Sequence, residues 1–417
     1  LAKDKKELEK ELKNGSSSFT LIGTVHLTDD GFSGGKQKEN SKWFGVNSSF
    51  GVEISEGNIV YPTIRGGYML DSQVLKRFSK TAGEGMITIP YDKRHDEKLL
   101  DQIAPYAFKK GAIARDESGK PILKRFIDDI DYEEYLAGNL KEGMEVRVMG
   151  KVEYSEGKED KVYRNYSVTG VYLNEEYTKN SEVVPPAEHS ALIHQTYVFG
   201  EDAVDSSWKK EFKNDGQVTL TLNVPQYVGK RLVGSEYIEW KKVMPIKQVI
   251  YIKGDPEDEK SVKLTEALVQ KLFTTKRGAV RELGVNCIIN EGYDTQNGNF
   301  EISKEMQDLI DMGLISEEEV KNTVNVRGSR VSELIFASPM TKIGDSGEIS
   351  ISLEDDKYAE EALYVQDVDV DEDEDEVVEI KSKPEVDTDT DEAYGVTGSD
   401  QNGKLSSDAF DDLFAGI

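Results

Sequence analysis

The chain has 417 residues, with 52 Lys and Arg against 80 Asp and Glu, a formal net charge of −28 and 37% hydrophobic residues. That length points to two or three domains, and the composition is too apolar for a wholly disordered chain. Cys287 is the single cysteine, which excludes an intrachain disulfide framework and a cysteine-based zinc cage. No run approaches the roughly 20 apolar residues of a membrane span. Residues 1–13 are charged and lack the apolar core of a secretory leader, so a reducing, cytoplasmic location with no membrane contact is expected.

Residues 1–18 read as a charged N-terminal lead, helical over 2–13 and ending in a Gly/Ser loop. Residues 19–28 (FTLIGTVHLT) then read as a strand. A Gly-rich polar loop covers 29–40. Residues 42–54 and 58–64 alternate like strands joined at Glu56-Gly57, and 85–91 forms another short strand. Helical pieces are expected over 95–110 and 121–137, with a turn near Gly119-Lys120-Pro121. The clearest hairpin joins 144–154 to 162–173. Each of its strands carries a glycine inside the alternation, Gly150 and Gly170, which predicts a bulge or sharp bend. A strand, a long loop, two paired strands, a helical insertion and a closing hairpin predict a small Greek-key barrel over 19–175, and the OB-fold is the commonest barrel of that size.

Residues 174–188, with Pro185-Pro186, mark a boundary. A second β-rich domain is expected over 190–345, with strands at 190–199, 218–224, 247–253, 285–290 and 330–337. Helices are expected at 257–276, 301–312 and 316–324. The predicted fold is mainly β with α insertions: two OB-fold-like Greek-key β-barrels followed by a disordered acidic C-terminal tail over 351–417. That tail holds 23 Asp and Glu against four Lys, including the unbroken run Asp371 to Glu376. Like charges at this density resist packing. Its last ten residues turn apolar again, and Phe410, Leu413, Phe414 and Ile417 fall on one helical face. With Asp411 and Asp412 they make a docking peptide, with aromatic anchors for a pocket and carboxylates for a basic rim.

Catalytic patterns fail. At Gly35-Lys36 the position five residues before the Gly-Lys pair is Asp30 and the next residue is Gln37, so no phosphate loop exists. The chain has no His-Glu-x-x-His. Acids cluster at Asp128, Asp129, Asp131, Glu133 and Glu134. Paired acids can hold Mg²⁺ for nuclease chemistry, but adjacent acids more often form a solvated face. No catalytic residue, metal or cofactor is expected.

Binding chemistry is better represented, because basic and aromatic residues interleave repeatedly. Single-stranded nucleic acid asks for this pairing: rings stack on bases while Lys and Arg neutralise phosphates. The candidate contacts are Trp43, Phe44, Arg65, Tyr68, Arg164, Tyr166, Trp208 and Trp240. On an alternating strand Arg164 and Tyr166 share one face.

The suspected barrels, the basic–aromatic pairs, the acidic tail and the tip Asp408, Phe410, Asp411, Asp412, Leu413 and Phe414 together resemble the bacterial and bacteriophage single-stranded DNA-binding proteins. Family tips usually end on the aromatic, whereas Ala415-Gly416-Ile417 follow here. The resemblance implies an OB-fold that binds single-stranded DNA independently of sequence, and a tail tip that recruits replication and recombination proteins. The form expected is a large bacteriophage member working in its host's cytoplasm, with self-association possible. Two other readings stand beside it: a scaffold or virion assembly protein with an acidic tail, and a nuclease using acids such as Asp128 and Asp131.

Overall fold

The computed structural model describes residues 8–156, 162–179, 182–233, 236–293, 330–344 and 347–364. The chain is mainly β with helical insertions, as its alternating patterns predict. The first half contributes β1 (Ser17–His26), β2 (Lys36–Gln37), β3 (Trp43–Ser49), β4 (Gly51–Ser55), β5 (Asn58–Val60) and β6 (Thr63–Met69). Next come β7 (Val74–Phe78), β8 (Met86–Pro90), α1 (Glu97–Leu100), β9 (Lys109–Ala112), β10 (Lys124–Phe126) and α2 (Asp129–Asn139). The hairpin of β11 (Glu145–Glu156) and β12 (Val162–Leu173) closes that half, and the short pair β13 (Tyr177–Lys179) and β14 (Glu182–Val184) follows at the expected boundary. The second half holds β15 (Ser190–Phe199), α3 (Trp208–Asp215), β16 (Gln217–Val233), β17 (Glu236–Lys253), α4 (Glu259–Leu268) and β18 (Arg281–Tyr293). It ends with β19 (Arg330–Pro339), β20 (Thr341–Ile343), β21 (Ile349–Ile351) and β22 (Leu353–Asp355).

The pairings of each half return to their start. In the first, β1 lies antiparallel to β11, β11 to β12, β12 parallel to β6, β6 antiparallel to β3, and β4, the continuation of β3, comes back to β1 at Thr24–His26. In the second, β15 pairs β18, β18 pairs β19, β19 runs parallel to β17, β17 pairs β16, and β16 returns to β15 at Val198 and Asn223. A helix stands between the third and fourth long strands of each circuit, α2 in one and α4 in the other. The circuits are joined by β1 and β15 themselves, antiparallel from Ser17–Gln195 to Ile22–Ser190. One sheet and one apolar core therefore cross both halves.

Local chemistry explains the elements. In β1 Phe19, Leu21 and Val25 are buried while Thr20 and Thr24 face out, the period-two pattern of a half-buried strand. The expected bulge forms between Met149 and Gly150, opposite Val168 and Gly170. A Cβ at Gly150 would strike the Phe19 ring and the Ser167 carbonyl, so only glycine lets β11 cross there. The Asp128 carboxylate caps α2 by accepting from the Ile130 and Asp131 amides, and Tyr132 and Leu136, one turn apart, are fully buried. In α4 the cap is Asp258, and the helix runs into a π turn at Val269–Phe273.

Four expectations change. Residues 8–13 are not helical: Glu9 forms a parallel bridge with Tyr358, and Leu12 is buried beside it. The acidic segment does not lose structure at 351. There β22 pairs β18, and Tyr358 and Ala362 are buried, so a few apolar anchors outweigh the surrounding charge up to Tyr364. Between β6 and α2 the chain builds a β7–β8 hairpin and short helices over a satellite core of Leu75, Ile89, Ile103, Phe108 and Ile127 instead of one helical piece over 95–110, while the piece expected over 121–137 forms later, as α2. The strands expected at 218–224 and 247–253 are parts of one long β16–β17 hairpin. The helices expected at 301–312 and 316–324 and the tip residues Phe410, Asp411, Asp412, Leu413 and Phe414 lie outside the described residues.

Candidate nucleic-acid interface

Directly opposite residues of an antiparallel pair share a face. Between β3 and β6 the register sets Trp43 against Met69, Gly45 against Gly67 and Asn47 against Arg65. Val46, between Gly45 and Asn47, and Ile64, next to Arg65, are buried, so these six positions alternate onto the other face, where Gly45 is itself covered. Trp43 is 37% and Met69 40% exposed. The result is a strip with an indole and a thioether at one end, an amide and a guanidinium at the other, and a glycine floor between them. Trp43, Val46, Asn47, Arg65 and Gly66 line one shallow open depression there.

Two contacts shape the strip. The Arg65 Nε donates to Asn47 Oδ1 at 2.6 Å, which fixes the guanidinium beside the floor. A Cβ at Gly45 would meet the Gly66 carbonyl and stand 2.9 Å from the Trp43 Nε1, so a side chain there would fill the floor and push the indole away. Beyond β3, Lys36 of β2 stands opposite Gly45, exposed and without an ion-pair partner among the described residues. Asn47, Met69, Gly45, Gly67 and Lys36 were not singled out from sequence. Their types were visible, but only the register assembles them.

Phe44 and Tyr68 lie on the opposite side of the same strands. Their rings are 5.6 Å apart, Tyr68 is 4.0 Å from Tyr91, and the Arg94 guanidinium sits 4.2 Å from the Tyr91 ring centre. Arg94 in turn donates to both oxygens of Asp131 at 2.9 and 3.2 Å. Burial alone would raise Asp131, but these bonds hold its carboxyl below the usual range. Burial pushes Asp128 up to about 6, and the neighbouring Asp131 adds to the rise. The acids singled out as possible metal ligands are thus a helix cap and an arginine partner. Among the described residues no group of three or more His, Cys, Asp or Glu could hold a metal ion, and no helix is long and apolar enough to cross a membrane.

The remaining candidates lie elsewhere. Tyr166 is only 4% exposed and packs edge-on against Phe19. Arg164 spans the two halves, donating to Glu291 at 2.7 Å and to Ser332 at 3.0 Å, while the Tyr166 hydroxyl meets the same Glu291 oxygen at 3.2 Å. The two share a face, as alternation predicts, but that face looks into the joint between the halves. Trp208 opens α3 half-buried against the core. Trp240 is half-buried near the shift in the β16–β17 register, with the Arg231 guanidinium 5.3 Å from its ring. The structure therefore unites Trp43 with Arg65 on one surface and Phe44 with Tyr68 behind it, and keeps Arg164, Tyr166, Trp208 and Trp240 apart from them.

No protein-family model matches this chain, and no curated protein matches it.

Proposed function

We propose that the chain is a non-catalytic single-stranded DNA-binding protein built on two tandem OB-type barrels. The strand order supports the fold reading: each half pairs its five long strand paths as first, second, third, fifth, fourth and back to first, with third and fifth parallel and a helix before the fourth. That is the arrangement of an OB barrel, whose second and third strands present the oligonucleotide face. The observation that carries the function is the strip on β3 and β6, where an exposed indole and an arginine flank a floor with no side chains. A base can lie flat against Trp43 while Arg65 and Lys36 meet phosphates. The acidic C-terminal region, with Phe410, Leu413 and Phe414 near its tip, would recruit replication and recombination proteins.

The test is a titration of intrinsic tryptophan fluorescence with oligo-dT at low and high salt, comparing the full chain with one ending at Tyr364. Saturable quenching that weakens with salt is the expected result. Absence of binding by both proteins at low salt would overturn the reading.

A further inference from the structure

A second cationic face lies on the outer side of β9–β12. In register, Arg125 stands beside Lys110, Lys110 beside Gly170 and Gly170 beside Met149. One step along, Ala112, Tyr172 and Arg147 stand side by side, and Lys151 follows Met149 on the same side of β11. All look outward, because Val146, Val148, Val152, Val168 and Val171 at the alternate positions are buried. A Cβ on Gly170 would lie 2.8 Å from the Tyr172 ring, so this half-buried ring lies across the glycine, next to Met149 at 42% exposure. Arg125, Lys110, Arg147 and Lys151 make no ion pair with any described residue. Of the β11 carboxylates, Glu145 is bonded to Thr24 and His189, while Glu153 follows Lys151 on the same side of the strand, opposite Asn165.

Three cations without ion pairs thus surround an aromatic plane, with Arg125 beside them over the Phe108 ring at 5.2 Å. Their occupant must bring closely spaced negative charge and a flat apolar group. We propose that this face is a second section of the single-strand track, taking phosphates and a base of the strand that leaves the Trp43 depression. The inference rests on the single-strand reading above. Continuity supports it: Ser49, Thr63, Ser167 and Lys151 stand in one row across β3, β6, β12 and β11. At about 4.8 Å per strand, the step from the Arg65 strand to the Lys151 strand is about 10 Å.

The test uses the full chain and labelled oligo-dT of about 10 and about 30 nucleotides, spanning one and several OB-sized sites. The triple variant Lys110→Gln/Arg147→Gln/Lys151→Gln is compared with Trp43→Ala. Trp43→Ala is expected to weaken both lengths. The triple variant is expected to spare the short oligonucleotide, to weaken the long one by about tenfold or more, and to flatten its log–log salt slope by about 2. A double variant Lys110→Arg/Lys151→Arg, which keeps the charge, is expected to bind as wild type, separating charge loss from damage to the fold. If the triple variant binds the long oligonucleotide with unchanged affinity and slope while Trp43→Ala weakens it, the second section is wrong and the Trp43 site stands. If wild type binds neither length, both fall.

Discussion

The β3–β6 pair of the first half and the β16–β17 hairpin of the second occupy the same place in their strand circuits, yet their outer faces differ. On the first, Trp43, Met69 and Arg65 surround a glycine floor. On the second, Thr219 faces Tyr251, Thr221 faces Val249 and Asn223 faces Lys247, with no glycine among them. Lys253 at the end of that hairpin is tied to Glu333 at 2.7 Å. The two tryptophans of the second half, Trp208 and Trp240, pack against the core instead. A shared topology thus does not fix the chemistry of a face. What fixes it is which register parity each aromatic side chain occupies relative to the core.

The largest effect should come from breaking the joint between the halves. Arg164 and Glu291 have side chains only 11% and 15% exposed. Arg164→Ala leaves that carboxylate buried without its cation, so chemical denaturation should show a loss of about 3–5 kcal/mol. Next, the comparison itself is tested by scanning the tryptophans. Trp43→Ala should cost about 1–3 kcal/mol of oligo-dT affinity, the value of one stacked base. Trp208→Ala and Trp240→Ala should lower the melting temperature and change affinity by less than about threefold if their rings serve packing. Equal affinity losses at all three positions would erase the distinction between the halves.

A smaller effect belongs to the Asp128 cap of α2, behind β6. The folded-state pKa of Asp128, about 6, lies above its ordinary value of 3.8. The folded form therefore holds its proton more tightly, and this group's contribution to stability is lost as pH rises from about 4 to about 6. Asp128→Asn keeps a capping oxygen and removes the titration. Melting curves of the variant should be flatter across that window, because the side chain no longer takes up a proton there. The smallest expected change is at Lys36: Lys36→Gln should weaken oligo-dT binding only a few-fold and reduce the salt slope by about 0.7.

Alternation made most strands legible, and two internal glycines foretold the β11–β12 bulge. The β16–β17 hairpin was harder to see, because Pro225 and Pro245 interrupt its pattern. They stand opposite each other in the ladder, so both missing donors fall at one pair. Trp43 and Arg65 were recognisable as residue types. That Phe44 and Tyr68 point to the other side follows from parity, since neighbours on a strand cannot share a face. The burial of Arg164 and Tyr166 was not legible, because Glu291 comes from a strand more than a hundred residues further along. Register is a long-range property, and short windows of sequence do not carry it.

The antiparallel contact of β1 with β15 has a kinetic and thermodynamic consequence. Tandem binding modules on a tether gain avidity that depends on tether length, since the second module searches a volume the tether defines. Here the six residue pairs from Ser17–Gln195 to Ile22–Ser190 join the two halves in one sheet. Lengthening the connection at 174–189 should therefore leave the effective concentration of one half at the other unchanged. On the proposed single-strand reading, a strand engaged by both halves would bend to their fixed spacing, so its own persistence length, rather than that of the linker, would govern how the two halves act together.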